Sequence, residues 1–235
     1  MSDLAWLGSW VQAHHWERHA LQAYRQAFTS HPARLLVLRH FLLDRVAERL
    51  SRFLSLEAEF QTVYGLYSVD GRYVTEDEWL AAAAEDRYLR FGAFCGPRPE
   101  FQLSPNLLTY LQFRQAFRDR RFTALFEEMC GVSLGASAFS VHAMRPGDFL
   151  HAHTDAVGDR RLAFVLYLTS EWRPRFGGYL QVLEPGGTAL RIEAEYNSLV
   201  LFDVTARTEH LVGPIEPVAG ETARLTLGGW ISQPA

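Results

Sequence analysis

Arg145-Pro146-Gly147-Asp148-Phe149-Leu150-His151-Ala152-His153-Thr154-Asp155 is the stretch on which the reading of this chain turns. Its Pro-Gly-Asp start turns the chain. Its second half reads as an extended segment, in which His153 and Asp155, two apart, project an imidazole and a carboxylate to one side. Around it lies a row of short apolar runs separated by Gly, Pro and Asp turns. These are Phe139 to Met144, Leu162 to Leu168, Tyr179 to Leu183, Leu190 to Glu193, Ser198 to Phe202, His210 to Gly213 and Ala223 to Ile231. Short runs at this even spacing predict an antiparallel sandwich or barrel.

Upstream, the pattern is different. Trp10 to Ala27 has loose helical spacing, Leu35 to Leu38 reads as a strand, and Leu42 to Leu54 returns to helix period. Glu57 to Ser68 is expected to pair, through an Asp70-Gly71 turn, with the residues just beyond that turn. Thr75-Glu76-Asp77-Glu78 has the form of a capping box opening a helix over Trp79 to Ala84. Ser104-Pro105 marks another helix start, and that helical region runs, broken near Arg120, to Gly131 as its C-terminal stop. No repeat or low-complexity linker interrupts the chain. The expectation is one α+β domain over residues 1–235. Residues 1–135 would be mainly helical support, packed outside a double-stranded β-helix (jelly-roll) core over 136–232.

Composition narrows the chemistry. The formal charge is −4, from 23 basic and 27 acidic residues, against the basic excess of a nucleic-acid binder. Arg114, Arg118, Arg120 and Arg121 read as a solvated helix face. Every basic residue is arginine. Schiff-base chemistry and a phosphate-loop lysine are therefore excluded, and any anion anchor must be arginine, a backbone nest or a hydroxyl. Met1 to Trp6 lacks a basic secretory n-region, and no run reaches the ~20 apolar residues of a membrane span. Cys95 and Cys130 have no metal-ligand or redox spacing and read as reduced thiols. Together these predict a cytoplasmic protein without membrane or nucleic-acid partners. His15 and His19, one helical turn apart, are expected to lie on a polar helix face rather than to bind an ion.

The candidate site grows from His153 and Asp155. A third ligand must come from a distant strand, and His210 follows by 210 − 153 = 57 residues, with four of the predicted runs between. Two imidazoles and one carboxylate on one face of a metal form the facial triad of non-heme Fe(II) sites, which leaves positions open for a chelating acid and O2. Arg224 comes 224 − 210 = 14 residues later, on the last long run, with Thr226 on its face at i+2. An arginine grips a carboxylate in a bidentate way, and a neighbouring hydroxyl adds a bond. An acid that chelates iron at one end and meets Arg224 at the other is wanted; 2-oxoglutarate fits both ends.

Residues from about 136 to 232 resemble the 2-oxoglutarate/Fe(II)-dependent oxygenase superfamily, and within it the prolyl-hydroxylase-like branch. The resemblance lies in Arg145-Pro-Gly-Asp-Phe-Leu before His153-Thr-Asp155, in Val165-Leu-Tyr-Leu-Thr169, and in Trp172 with Gly177-Gly178. It continues through Ser198-Leu-Val-Leu-Phe202, His210-Leu-Val212 and Arg224-Leu-Thr-Leu-Gly-Gly-Trp230. It implies that His153, Asp155 and His210 bind Fe(II). It also implies that Arg224 pairs with the distal carboxylate of 2-oxoglutarate, with Tyr167 and Thr226 assisting. O2 is then the oxidant, with ascorbate as an accessory reductant, and the reaction is hydroxylation of an unactivated C–H bond. The branch points to a peptidyl or protein residue such as proline, with a free amino acid or natural-product intermediate as the alternative. Gly177-Gly178 would supply a close backbone approach. Met144 and Tyr179 depart from the pattern, which often has an aromatic and an acidic residue at those positions.

Competing readings have their own signatures. A cupin-type metalloenzyme would use His151-Ala-His153, making His151 a ligand and 2-oxoglutarate irrelevant. His151 would share the face of His153 on a regular strand, and His142 lies on the strand before it. The nucleic-acid demethylase branch carries a second arginine six residues past the anchor, where this chain has Trp230. Histone-type demethylases anchor the cosubstrate through lysine, absent here. Halogenating relatives lack the carboxylate supplied by Asp155. A non-enzymatic roll would bind no iron.

Overall fold

Among the described residues, the apolar runs fold into one curled antiparallel sheet of eleven strands. The computed structural model describes residues 6–69, 72–183, 188–206 and 208–234. The strands are β1 (Leu35–Leu38), β2 (Ala58–Leu66), β3 (Arg87–Pro97), β4 (Ser137–Met144), β5 (Phe149–His153) and β6 (Arg160–Tyr167). They continue as β7 (Leu180–Leu183), β8 (Ala189–Ile192), β9 (Ser198–Asp203), β10 (His210–Val212) and β11 (Arg224–Ser232). The helices are α1 (Arg18–Ser30), α2 (Asp44–Arg52), α3 (Glu76–Ala81), α4 (Pro105–Phe117) and α5 (Arg120–Cys130).

Strand order is β1-β9-β6-β11-β4-β3-β5-β10-β7-β8, with β2 on β3. The joint is β3. Its Gly92 and Ala93 pair with Ala143 and His142 of β4, while Leu89 and Arg90 pair with Leu150 and Phe149 of β5. A larger half, β1 to β4 in that order, thus meets a smaller half, β5 to β8, through one shared strand. The sheet curls there into the expected jelly roll, with helices outside it.

In β6 and β9 of the larger half both faces are buried, which explains why their runs are continuously apolar rather than alternating. In β6, Leu162, Phe164 and Leu166 belong to the core under the helices, whereas Ala163 and Tyr167 belong to the interior of the roll. In β11, Leu225, Leu227 and Ile231 join the helical side, and Arg224, Thr226 and Gly228 line the interior cavity. Phe113, Phe117, Phe122 and Phe126 fill the helical side, with the Phe117 ring 4.6 Å from Phe164. Full burial of such a side chain stabilises by about 1.5–3 kcal/mol.

The local signals behave as read. Thr75 and Glu78 form the capping box of α3. Ser104 caps α4, Asp119 caps α5 after a break at Arg118, and Gly131 ends α5 in the left-handed region at φ 68°. Two expectations need correction, and one strand was not expected. Residues 1–135, read as mainly helical with a strand at Leu35–Leu38 and a pairing segment from Glu57, also contribute β3. The run Arg87–Pro97 carries Gly92, Gly96 and Pro97, which weaken a strand signal. β2 pairs along its length with β3, and among the described residues a single β-bridge, Tyr64 to Val74, pairs its backbone with the segment after the expected turn. The Asp70-Gly71 turn lies outside the described residues. Finally, α1 starts only at Arg18, and His15 sits in a separate short turn, buried. Its Nε2 donates to the Arg39 carbonyl at 3.0 Å, so its Nδ1 accepts from the Tyr24 hydroxyl at 2.9 Å. His15 is a bonded core histidine, and His19 is exposed beside Glu17.

Candidate metal centre and acid pocket

The smaller half supplies the candidate metal ligands. His153 of β5 stands directly opposite His210 of β10. Leu150 pairs with Val212, so 153 − 150 = 3 residues face 212 − 210 = 2, a bulge in β5. The bulge overturns the expectation that His151 shares the face of His153. His151 is exposed on the ring of Phe149, at 4.4 Å, while His153 turns inward. His151 therefore cannot serve the cupin-type arrangement. Asp155 lies just past the strand end, buried, its two oxygens 3.7 Å from His153 Nε2 and 3.3 Å from His210 Nε2. One ligand atom from each of the three lies within 4.8 Å of the others.

Both rings are aimed by backbone. His153 Nδ1 donates to the His151 carbonyl at 2.9 Å, and His210 Nδ1 faces the Thr208 carbonyl at 3.5 Å. That leaves each Nε2 lone pair for a metal, the arrangement that tunes imidazole ligands generally. Burial, with His210 beside it, pushes the His153 pKa down to about 4, so the ring is neutral at pH 7. Burial opposes ionisation of Asp155, but His210, His153 and the Trp230 indole outweigh it, and the carboxyl lies below its usual range. Two imidazoles and an ionised carboxylate are the donor set an Fe(II) ion takes.

The larger half supplies the other end of the same cavity. A space of about 110 Å³ runs from His153, Asp155 and His210 to Arg224 and Thr226, walled by Phe91, Leu150, Leu180 and Phe202. Arg224 is buried, and among the described residues no carboxylate pairs with it. Its Nε has no hydrogen-bond partner, and a terminal nitrogen donates only to the Met144 thioether at 3.6 Å. Its guanidinium carbon lies 4.9 Å from the ring of Tyr167, whose buried hydroxyl is also without a partner. Burial lowers the Arg224 pKa, with Tyr167 opposing. A buried charge without a counter-ion is costly, so this pocket is built for an anion.

Comparison with known proteins agrees with this geometry. Residues 139–232 match the model of the 2OG-Fe(II) oxygenase superfamily. That stretch, under half of the chain, is similar to a 2OG-Fe(II) oxygenase core. That family works with Fe(II), 2-oxoglutarate and O2, and the metal triad and the unpaired guanidinium suit the first two. Prolyl 3-hydroxylase OGFOD1 of Mus musculus is 34% identical over 94 residues, covering 37% of this chain and 17% of that protein. Prolyl 3-hydroxylase sudestada1 of Drosophila melanogaster is 28% identical over 116 residues, covering 44% and 21%. The chain thus spans about a fifth of these relatives. The fold matches a Pseudomonas putida prolyl-4-hydroxylase at TM-score 0.56 and 18% identity, covering 92% of this chain and all of that one. It also matches a Trichoplax adhaerens prolyl hydroxylase solved with a hypoxia inducible factor peptide fragment. There the TM-score is 0.55 at 13% identity, covering 94% and 96%.

The glycine pair Gly177-Gly178 has a physical reason. A Cβ on Gly178, at φ 63°, would stand 2.4 Å from Ile215 Cδ1 and 2.9 Å from Arg224 Cδ. One on Gly177 would stand 2.3 Å from Pro214 O. The backbone needs both glycines to pass beside the anchor. Tyr179, where an acid is common, lies under the Arg191 guanidinium at 3.8 Å. The roll brings all six predicted site residues to one interior. Sequence reasoning gave no role to Phe91, and left that of His142 open; both line the cavity. Their signal is cross-strand register, which a single run does not carry.

Proposed function

We propose that this protein is a 2-oxoglutarate- and Fe(II)-dependent dioxygenase that hydroxylates an unactivated C–H bond of a peptide or protein residue, proline first. The observation that carries this is one cavity with a two-His, one-Asp cluster at one end and a buried, unpaired arginine at the other. The prolyl-hydroxylase relatives support the choice of substrate. His153, Asp155 and His210 would hold the iron, which, with O2 and 2-oxoglutarate, supplies the oxidising power for C–H hydroxylation as succinate and CO2 leave.

The chain's own residues position and exclude. The carbonyls of residues 151 and 208 hold the imidazoles with Nε2 inward. Arg224 clamps the distal carboxylate, with Thr226 and Tyr167 adding hydroxyl donors. Phe91, Leu150 and Phe202 keep water from the space between. We place the protein in the cytoplasm, consistent with Cys95 and Cys130 as free thiols.

The test is succinate release from protein supplied with Fe(II), ascorbate and 2-oxoglutarate, with proline-containing peptides screened against free amino acids. His153→Ala should lose activity by more than the ~10–100-fold that even outer-shell changes cost. Equal turnover in wild type and His153→Ala would sink the assignment. Stimulation by free amino acids but not peptides would move the substrate to the alternative class.

A further inference from the structure

We infer that His142 is a further cosubstrate-binding residue, its imidazole N–H donating to the distal carboxylate of 2-oxoglutarate alongside Arg224. The inference rests on the proposed function and deepens the same site.

The register carries it. His142 of β4 lies directly opposite Thr226 of β11, and Thr226 lies directly opposite Tyr167 of β6. Residues directly opposite in antiparallel strands share a face. Strands are about 4.8 Å apart, so imidazole, hydroxyl and phenol form one transverse row spanning roughly 10 Å. Arg224, two residues from Thr226 and opposite Met144, lies one pleat along on the same face.

The surroundings of His142 agree. It lines the cavity, and its ring packs on Phe91 at 4.5 Å. Among the described residues neither ring nitrogen has a hydrogen-bond partner. The bonded core histidine of this fold looks different, because His15 satisfies both nitrogens within the protein. Burial, with the Arg224 charge nearby, pushes His142 down to about 4. At neutral pH it therefore offers one N–H without setting a second cation beside the guanidinium. A carboxylate has about four lone-pair sites; a bidentate Arg224 takes two, which leaves two for the hydroxyl and imidazole donors of the row. Met144, opposite Arg224, offers only a thioether.

The experiment is calorimetric titration of 2-oxoglutarate into the Mn(II)-loaded full chain. His142→Phe should raise Kd about tenfold, the loss of one charge-assisted hydrogen bond. His142→Gln, which keeps an N–H, should recover most of the affinity. Mn(II) affinity and the melting midpoint should not move. If His142→Phe fails to fold, His142→Leu against His142→Gln makes the same comparison. An apolar variant that folds and binds 2-oxoglutarate as tightly as wild type overturns the inference, as does a glutamine variant as weak as the apolar one. Arg224→Ala separates the two levels. Unchanged binding there removes the parent reading, whereas weakened binding there with unchanged His142→Phe removes only this inference.

Discussion

The two halves of the sheet prepare their ends of the cavity in opposite ways. In the smaller half, His153, Asp155 and His210 already contact one another. In the larger half, Arg224 Nε and the Tyr167 hydroxyl are buried without partners. A metal site tolerates waiting because the Asp155 carboxylate already has the Trp230 indole as a hydrogen-bond donor and the Arg160 guanidinium at 3.8 Å. An anion pocket cannot be pre-satisfied in the same way, since an internal carboxylate would compete with the ligand. The acid end therefore holds uncompensated polar groups, and its stability depends on what binds.

The contrast predicts separable ends. The largest effect outside the metal ligands should come from Arg224→Ala. Losing two charge-assisted bonds of about 1.5 kcal/mol each should raise the KM for 2-oxoglutarate roughly 100-fold. Mn(II) affinity should stay within error; a parallel loss of metal would break the division of labour. Gly178→Ala should act next, and only at the acid end. The added Cβ meets Arg224 Cδ and Ile215 in a left-handed backbone, so KM for 2-oxoglutarate should rise roughly tenfold with about 1–2 kcal/mol lost in stability. Steady-state kinetics and urea unfolding on one preparation check both; a change in metal affinity instead would blur the boundary.

A third effect lies outside the cavity and serves as its control. The His15 pKa is pushed down to about 4 by burial, with His14 adding to it. Its folded value lies below the unfolded value near 6.5, so the neutral form is the one the fold holds. Its contribution is intact above pH 6.5 and is lost as pH falls from 6.5 toward 4, by at most about 3 kcal/mol. Urea unfolding at pH 7.5 and pH 5 should show wild type losing more stability than His15→Gln. Equal losses would mean that the helical layer does not contain the acid-sensitive group.

Much of this was legible locally. The capping box at Thr75, the Ser104-Pro105 start and Gly131 are signals carried by neighbours in the chain. The ligands His153, Asp155 and His210 followed from side-chain type and the count of intervening runs. Strand β3 was not legible, because Gly92, Gly96 and Pro97 obscure it and its pairing to both β4 and β5 is non-local. Nor was the bulge that separates His151 from His153, since strand period alone puts them on one face.

The sequence by itself determined which groups are available: two imidazoles and a carboxylate for a metal, arginine as the sole cationic anchor, and glycines where the backbone must pass close. The tertiary structure alone decided which of them meet. Register across β10 and β5 sets His210 against His153, and register across β4, β11 and β6 sets His142 in the row of Thr226 and Tyr167. The physical reason is that pairing between distant strands is fixed by the packing of both sheet faces at once, and a one-residue slip would turn every one of these side chains away from the cavity.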